Sequence, residues 1–214
     1  MLAFLGGTGP EGRGLALRLA LAGEEVVLGS RDVAKAQEAA AKVRALAPSA
    51  RVRGADNATA AREGDVVFLT VPYTAQASLL GEVGAQLRGK VVVDTVVPLE
   101  FVGGRPRALS VPEGSAAQQA QALLPGAKVV AAFHNVSAQD LLVPDKAIEG
   151  DVLVCADDAE AKTQVRALAG RIQRIRGVDG GGLENARYVE ELTVLLLSLN
   201  RIHKARTMVR IHGI

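Results

Sequence analysis

Tryptophan is absent from this 214-residue chain, and aromatic side chains amount to four Phe and two Tyr. Without aromatic platforms on which bases stack, single-stranded nucleic-acid binding has little support. Charge argues the same way. The 25 Lys and Arg are scattered among 23 Asp and Glu, giving a formal net charge of +2 and no basic block. One small basic site for an anionic ligand fits better than a nucleic-acid surface. The lone cysteine, Cys155, has no partner for an internal disulfide, and no Cys/His cluster has zinc-site spacing. A reducing cytoplasm is the simplest compartment. Met1 leads into an apolar strand and glycines with no charged leader, so a signal peptide is not expected. The run Leu192 to Leu199 is too short to span a bilayer and reads as a buried helix face.

What is present is the composition of a globular protein, 49% hydrophobic and 22% charged, long enough for one α/β domain with a short extension. Leu2 to Leu5 reads as a strand, Glu11 to Leu21 as a helix, Val26 to Leu28 as a strand, and Val33 to Leu46 as a helix stopped by Pro48. The alternation continues with a weak strand at Val52, strands over 65–71 and 91–93, and helices over 75–87 and 115–124. A strand over 128–132 completes about six, the complement of a dinucleotide-binding doubly wound parallel sheet. The stretch 98–112, rich in Gly, Pro and Arg, is expected to be a loop. After Gly150 a strand, a helix over 159–172 and a strand over 175–178 follow, then a helix over 184–208. Its Leu192, Leu195, Leu196, Leu199 and Ile202 form one apolar stripe. The organisation expected is a Rossmann domain over 1–150 and a small α/β to helical extension over 151–214.

Gly7, Gly9 and Gly12 supply G-x-G-x-x-G between the first strand and first helix, the context that turns a weak motif into a specific one. The first glycine permits the turn, the second lets backbone approach a pyrophosphate, and the third lets helix pack on strand. Thr8, Pro10 and Glu11 fill the positions between them, so they belong to the same cradle. Roughly ~20 residues further on, NAD enzymes carry an acid against the ribose hydroxyls. Here Gly29-Ser30-Arg31 stands instead, and a hydroxyl with a guanidinium suits a 2′-phosphate, so NADP is preferred over NAD. Lys35, one helical turn on, adds charge on the same side or is simply solvated. Asp32 reads as the cap of the second helix rather than a displaced ribose ligand.

The rest of the nucleotide should cross the carboxyl ends of the later strands. That places Thr70, Val71 and Pro72, then Val97, then His134 and Val136, beside the nicotinamide, although Pro72 and Pro98 also read as strand terminators. His134 is either a positioning residue there or a histidine bonded into a strand end. Glu190 and Glu191 read as surface or cap-region charges.

The glycine turn with Gly14-Leu15-Ala16-Leu17-Arg18-Leu19-Ala20, the Gly-Ser-Arg triplet, Leu69-Thr70-Val71-Pro72, the His134 segment, 151–158 and Leu183-Glu184-Asn185-Ala186-Arg187-Tyr188-Val189-Glu190 together resemble the NADPH-dependent reductases of coenzyme F420. The resemblance implies that Thr8, Ser30, Arg31 and Lys35 hold NADP, and that the deazaflavin of F420 stacks near the nicotinamide under the C-terminal part. The family's His-Thr-Ile-Pro-Ala segment reads His134-Asn135-Val136-Ser137-Ala138 here, which adds Ala138 to the site and leaves the acceptor side looser than the NADP side. Arg187, Arg201, Lys204 and Arg206 either draw in the anionic tail of F420 or lie on the wet face of a helix. Membrane ferric reductases share the N-terminal pattern. A flavin, ferric iron, a quinone or a small carbonyl or imine compound therefore stands as alternative acceptor, and an NADP-sensing domain without turnover as the alternative class. Hydride transfer between two cofactors needs no nucleophile or metal from the protein. The long apolar stripe should bury against the core or a second subunit, and a homodimer is expected.

Overall fold

The computed structural model describes all residues, Met1–Ile214. Six strands, β1 (Leu2–Leu5), β2 (Val26–Ser30), β3 (Val52–Asp56), β4 (Val66–Leu69), β5 (Val91–Asp94) and β8 (Lys128–Ala131), form one sheet in the order β3-β2-β1-β4-β5-β8. Every neighbouring pair is parallel, with Leu2 opposite both Val26 and Val66. β1, β4 and β5 are apolar or buried at every position because both faces are covered. Helices α1 (Pro10–Leu21), α2 (Val33–Leu46), α3 (Asn57–Glu63), α4 (Tyr73–Val83) and α5 (Ala116–Leu123) supply that cover. The order reverses between β1 and β4, and a nucleotide binds at such a switch point, above the carboxyl ends of the strands.

The stretch 98–112, expected to be a loop, instead contains an antiparallel hairpin, β6 (Leu99–Val102) and β7 (Arg105–Ala108). Its two-residue turn is Gly103-Gly104, both left-handed, a tight hairpin connection that glycine alone adopts without cost. The two strands are largely exposed, so no buried alternation announced them.

After the short helix α6 (Ala138–Leu141), a second parallel unit forms from β9 (Gly150–Val154), α7 (Ala159–Gly170) and β10 (Ile175–Asp179). It joins the main sheet through reciprocal bonds between Ala131 and Cys155, 2.9 and 3.0 Å. One buried cluster runs from Leu2 and Phe4 through Phe133 to Val152, Val165 and Ile175.

The last helix, α8 (Ala186–His203), ends five residues before the expected Met208. Asn200 draws the chain back, its Oδ1 accepting from the Thr207 amide at 2.6 Å and the Thr207 hydroxyl at 2.8 Å. Lys204 takes the left-handed conformation that closes a helix. Of the apolar stripe only Leu196 is buried, while Leu195 is 55% and Ile202 69% exposed, so the core leaves most of that face uncovered.

Arg18, deep in α1, ties the segment after β8 to the nucleotide-binding helix. Its guanidinium donates to the carbonyls of Leu141 (2.8 Å), Pro144 (2.9 Å), Asp140 (2.8 Å) and Val143 (2.5 Å). The Asp140 and Val143 carbonyls also accept from the Val143 and Lys146 amides, so it is the Leu141 and Pro144 carbonyls that depend on Arg18. Arg18→Met is expected to leave those two without a donor and to cost about 2–3 kcal/mol of stability, read as a lower denaturant midpoint. An unchanged midpoint would show that water satisfies those carbonyls equally well.

Candidate functional site

The chain leaves β1 through Gly6, in the left-handed region, and enters α1 at Pro10. The two outer glycines of the motif are demanded by packing. A Cβ on Gly7 would stand 2.7 Å from the Phe4 carbonyl oxygen, and one on Gly12 would stand 2.6 Å from Gly7 Cα. Gly9 differs. Its φ of −71° and ψ of 170° suit any residue, and a Cβ there meets nothing within 4 Å. The fold has no use for a glycine at that position. A group approaching the backbone at the open amino end of α1 does, and an anion is what a helix N-terminus favours.

Two cavities flank this turn. The first, about 380 Å³, is lined by Gly6, Thr8, Ser30, Arg31, Val71 and Pro72, together with Asn57 and residues of α4. Asn57 Oδ1 accepts from the Gly6 amide at 3.1 Å, pinning the turn to the end of β3. The sequence reading missed Asn57 because its partner lies 51 residues away. Asp32 is engaged as the cap of α2, accepting from the Ala34 and Lys35 amides at 3.0 and 3.3 Å. It is therefore committed to the helix, and Glu82 on α4 is the one acid lining the cavity. Lys35 is exposed in the first turn of α2 and does not line this cavity. Thr70 turns its hydroxyl inward to the Leu5 carbonyl, at 3.0 Å. Val97 is half-buried and lines neither cavity.

The second cavity, about 360 Å³, brings together Glu11, His134, Val136 and Ala138 with Thr193 and Asn200 of α8 and Arg206 beyond it. Phe133 delivers His134 to it. A φ of 68° at this bulky residue turns the chain sharply out of β8, at a cost of about 1–3 kcal/mol, while the Phe133 ring stays in the core against Phe68, 5.8 Å between centroids. The segment is then bolted to α8. Thr193 Oγ1 donates to the His134 carbonyl at 2.9 Å, and Asn135 Nδ2 donates to Thr193 Oγ1 at 2.8 Å and to the Val189 carbonyl at 3.1 Å. The Asn135 departure from the family segment thus serves helix docking. Neither ring nitrogen of His134 has a partner, and burial holds its pKa down at about 3, so the ring is neutral.

Glu190, expected as a surface or cap-region charge, is not at the surface: it is only 3% exposed, and the helix it caps is α5. Its carboxylate oxygens accept from the Ala116 and Ala117 amides at 2.9 and 3.1 Å, while Ser115 Oγ accepts from Gln118. Together the two side chains satisfy the first three amides of α5. Burial pushes Glu190 up to about 7. Asp94, at the end of β5, is held well above its ordinary value by burial and then by the neighbouring Glu190.

These acids set the pH dependence of stability. Glu190 and Glu11 keep their protons in the fold up to about 7 and 8, against an ordinary value of 4.5. The stability they confer is complete below 4.5 and is lost as pH rises through those values. His134 acts in the opposite sense, but only between about 3 and 6.5. Above pH 6.5 the acids therefore act alone, and the unfolding temperature of the ligand-free protein is expected to fall between pH 6.5 and 8. Glu190→Gln should flatten part of that slope; a slope identical in the variant would remove Glu190 as its source.

The sheet order, the glycine turn and the two cavities beside it define a Rossmann-type nucleotide-binding protein. Residues 1–98 match the family described as "NADP oxidoreductase coenzyme F420-dependent". The chain is 46% identical over 211 residues to the F420-dependent NADP reductase of Methanothermobacter marburgensis, covering 96% of this chain and 94% of that one. A solved structure from Arthrobacter sp. FB24, assigned as an F420-dependent NADP reductase, superposes with a TM-score of 0.83 at 29% identity over 99% of both chains. Rat metalloreductase STEAP3 is 33% identical over 89% of this chain, which spans only 36% of that longer protein. The chain belongs to the F420-dependent NADP reductase family.

Proposed function

We propose that this protein transfers a hydride between NADP(H) and the deazaflavin coenzyme F420. The observation that carries the proposal is 46% identity, over nearly the whole of both chains, to a reductase bearing that name. The residues fit the nucleotide: Gly9 leaves room at the amino end of α1 that the fold itself does not require, and Thr8, Ser30 and Arg31 line one cavity. In this reading Ser30 and Arg31 hold the 2′-phosphate, with Lys35 contributing charge from the rim; Gly9 opens the backbone to the pyrophosphate, Gly7 and Gly12 let the turn close on α1, and Pro10 starts that helix. Val71 and Pro72 carry the nucleotide across the strand ends, while Thr70, bonded to the Leu5 carbonyl, and Val97 stand behind them. Glu11, His134, Val136 and Ala138 surround the nicotinamide and its partner ring. The two bound cofactors supply the hydride chemistry, and the protein orients them and excludes water.

Residues 1–150 form the nucleotide-binding part, and 151–214 roof the acceptor cleft through α8. The exposed Tyr188, Leu195 and Ile202 of α8, with Phe101 of the hairpin, support a homodimer in which this apolar face is covered by a second copy. No helix is long and apolar enough to cross a membrane, and with its one cysteine free and buried the protein is assigned to the cytoplasm.

Mixing protein and NADPH with oxidised F420, FMN or a ferric chelate tests the acceptor. Loss of NADPH absorbance together with F420 fluorescence is expected with F420 alone. Turnover with flavin or iron and none with F420 would reassign the acceptor, and tight NADPH binding without turnover on any acceptor would indicate a sensor.

A further inference from the structure

Glu11 is an acid in the first turn of α1, where the helix dipole favours it but no side chain pairs with it. It is the second residue of α1, two past Gly9, and its Oε1 is buried without a hydrogen-bond partner. The two ring nitrogens of His134, a side chain in the same cavity, are likewise buried and unpartnered. Leaving a buried polar atom unpaired costs about 1–3 kcal/mol. Three such atoms around one cavity are an arrangement that a ligand with its own donors and acceptors completes.

No charge on the protein answers Glu11. From the loop after β8 it shares the cavity with neutral His134, and from α8 with the uncharged Thr193 and Asn200. Beyond α8 the Arg206 guanidinium is engaged by Asp140 at 2.5 Å, and Asp140 also takes Lys146 at 2.8 Å. Arg13, on the same helix, exerts its field on Glu38 of α2. Burial alone acts on the carboxyl and pushes its pKa up to about 8. A carboxyl so placed holds its proton at neutral pH and, a little above it, becomes an anion with the amino end of α1 but no cationic side chain beside it.

The two redox forms of a nicotinamide differ in charge. The reduced ring is neutral, and loss of hydride leaves a cation. We propose that Glu11 discriminates between them, its neutral carboxyl accommodating the reduced ring and its carboxylate attracting the oxidised one. The inference rests on the reading of this cleft as the nicotinamide site. It makes Glu11 a specificity residue, through which pH sets the relative hold on NADP⁺ and NADPH.

Dissociation constants for NADP⁺ and NADPH, measured by calorimetry without acceptor at pH 6.5 and 9, test this. The ratio Kd(NADPH)/Kd(NADP⁺) is expected to rise about tenfold between the two pH values, because the 2′-phosphate and every other shared group cancel from it. In Glu11→Gln and in Glu11→Leu, each checked for folding by thermal unfolding, the ratio should not change with pH. A flat ratio in the unaltered protein, or a rise that persists in both variants, overturns the role of Glu11 while leaving NADP binding intact. Failure of either nucleotide to bind overturns the NADP reading and this inference with it.

Discussion

Arg31→Asp is expected to weaken NADPH binding by about 100-fold or more while changing NADH binding by no more than a few-fold. The cause is a charge change confined to one phosphate. A guanidinium pairs with a phosphate through parallel charge-assisted bonds, and 100-fold corresponds to about 2.7 kcal/mol, the order expected for losing that pair and gaining repulsion. Arg31 is exposed and lines the cavity with Ser30 and Thr8, so the substitution removes no core contact and stability should be unchanged. The neighbouring acid does not enter the comparison, since Asp32 is held by two amides of α2. Titrating both nucleotides into the variant decides the matter. Equal losses for NADPH and NADH would place the 2′-phosphate elsewhere.

The parts of this molecule that were open to reading from sequence are those whose causes are local. The glycine motif announces itself by spacing within six residues, and the paired apolar strands answer to burial on both faces, so a doubly wound parallel sheet of about six strands followed from the alternation, its strand order being left to the structure. Asp32 could be identified as a cap because the amides it serves are two and three residues on.

What sequence did not disclose depends on partners far along the chain. Glu190 reads as a surface or cap-region charge until α5, 73 and 74 residues earlier, is brought against it. Arg18 looks like one more polar residue in an Ala- and Leu-rich helix, yet it gathers carbonyls more than 120 residues away. The end of α8 was misjudged because Asn200 closes the chain on Thr207, a contact that helical periodicity does not register. The second cavity mixes both kinds. His134 and Val136 were visible as residues following a strand, while Thr193, Asn200 and Arg206 reach it only through the docking of α8 and the turn of chain beyond it.

The contrast between Gly9 and Gly12 separates nucleotide binding from folding within a single turn. At Gly12 an added side chain would meet Gly7 Cα at 2.6 Å, Thr70 Oγ1 at 2.8 Å and the Gly7 carbonyl oxygen at 2.9 Å. None of these is the free end of a flexible chain, so helix and turn must part. Gly12→Val is expected to cost about 3 kcal/mol or more in stability and to lose binding with it. At Gly9 the backbone conformation is ordinary and the space is empty. Gly9→Val should therefore fold, at a cost of no more than about 1 kcal/mol for replacing glycine at the N-cap of α1. Its affinity for NADPH should nonetheless fall about 100-fold or more, because the branched side chain occupies the volume through which a pyrophosphate reaches the amides at the start of α1. The effect should be alike for NADPH and NADH, unlike that of Arg31→Asp, since both carry the pyrophosphate and only one carries the 2′-phosphate. Undiminished NADPH binding by a folded Gly9→Val protein would mean that the nucleotide does not cross this turn.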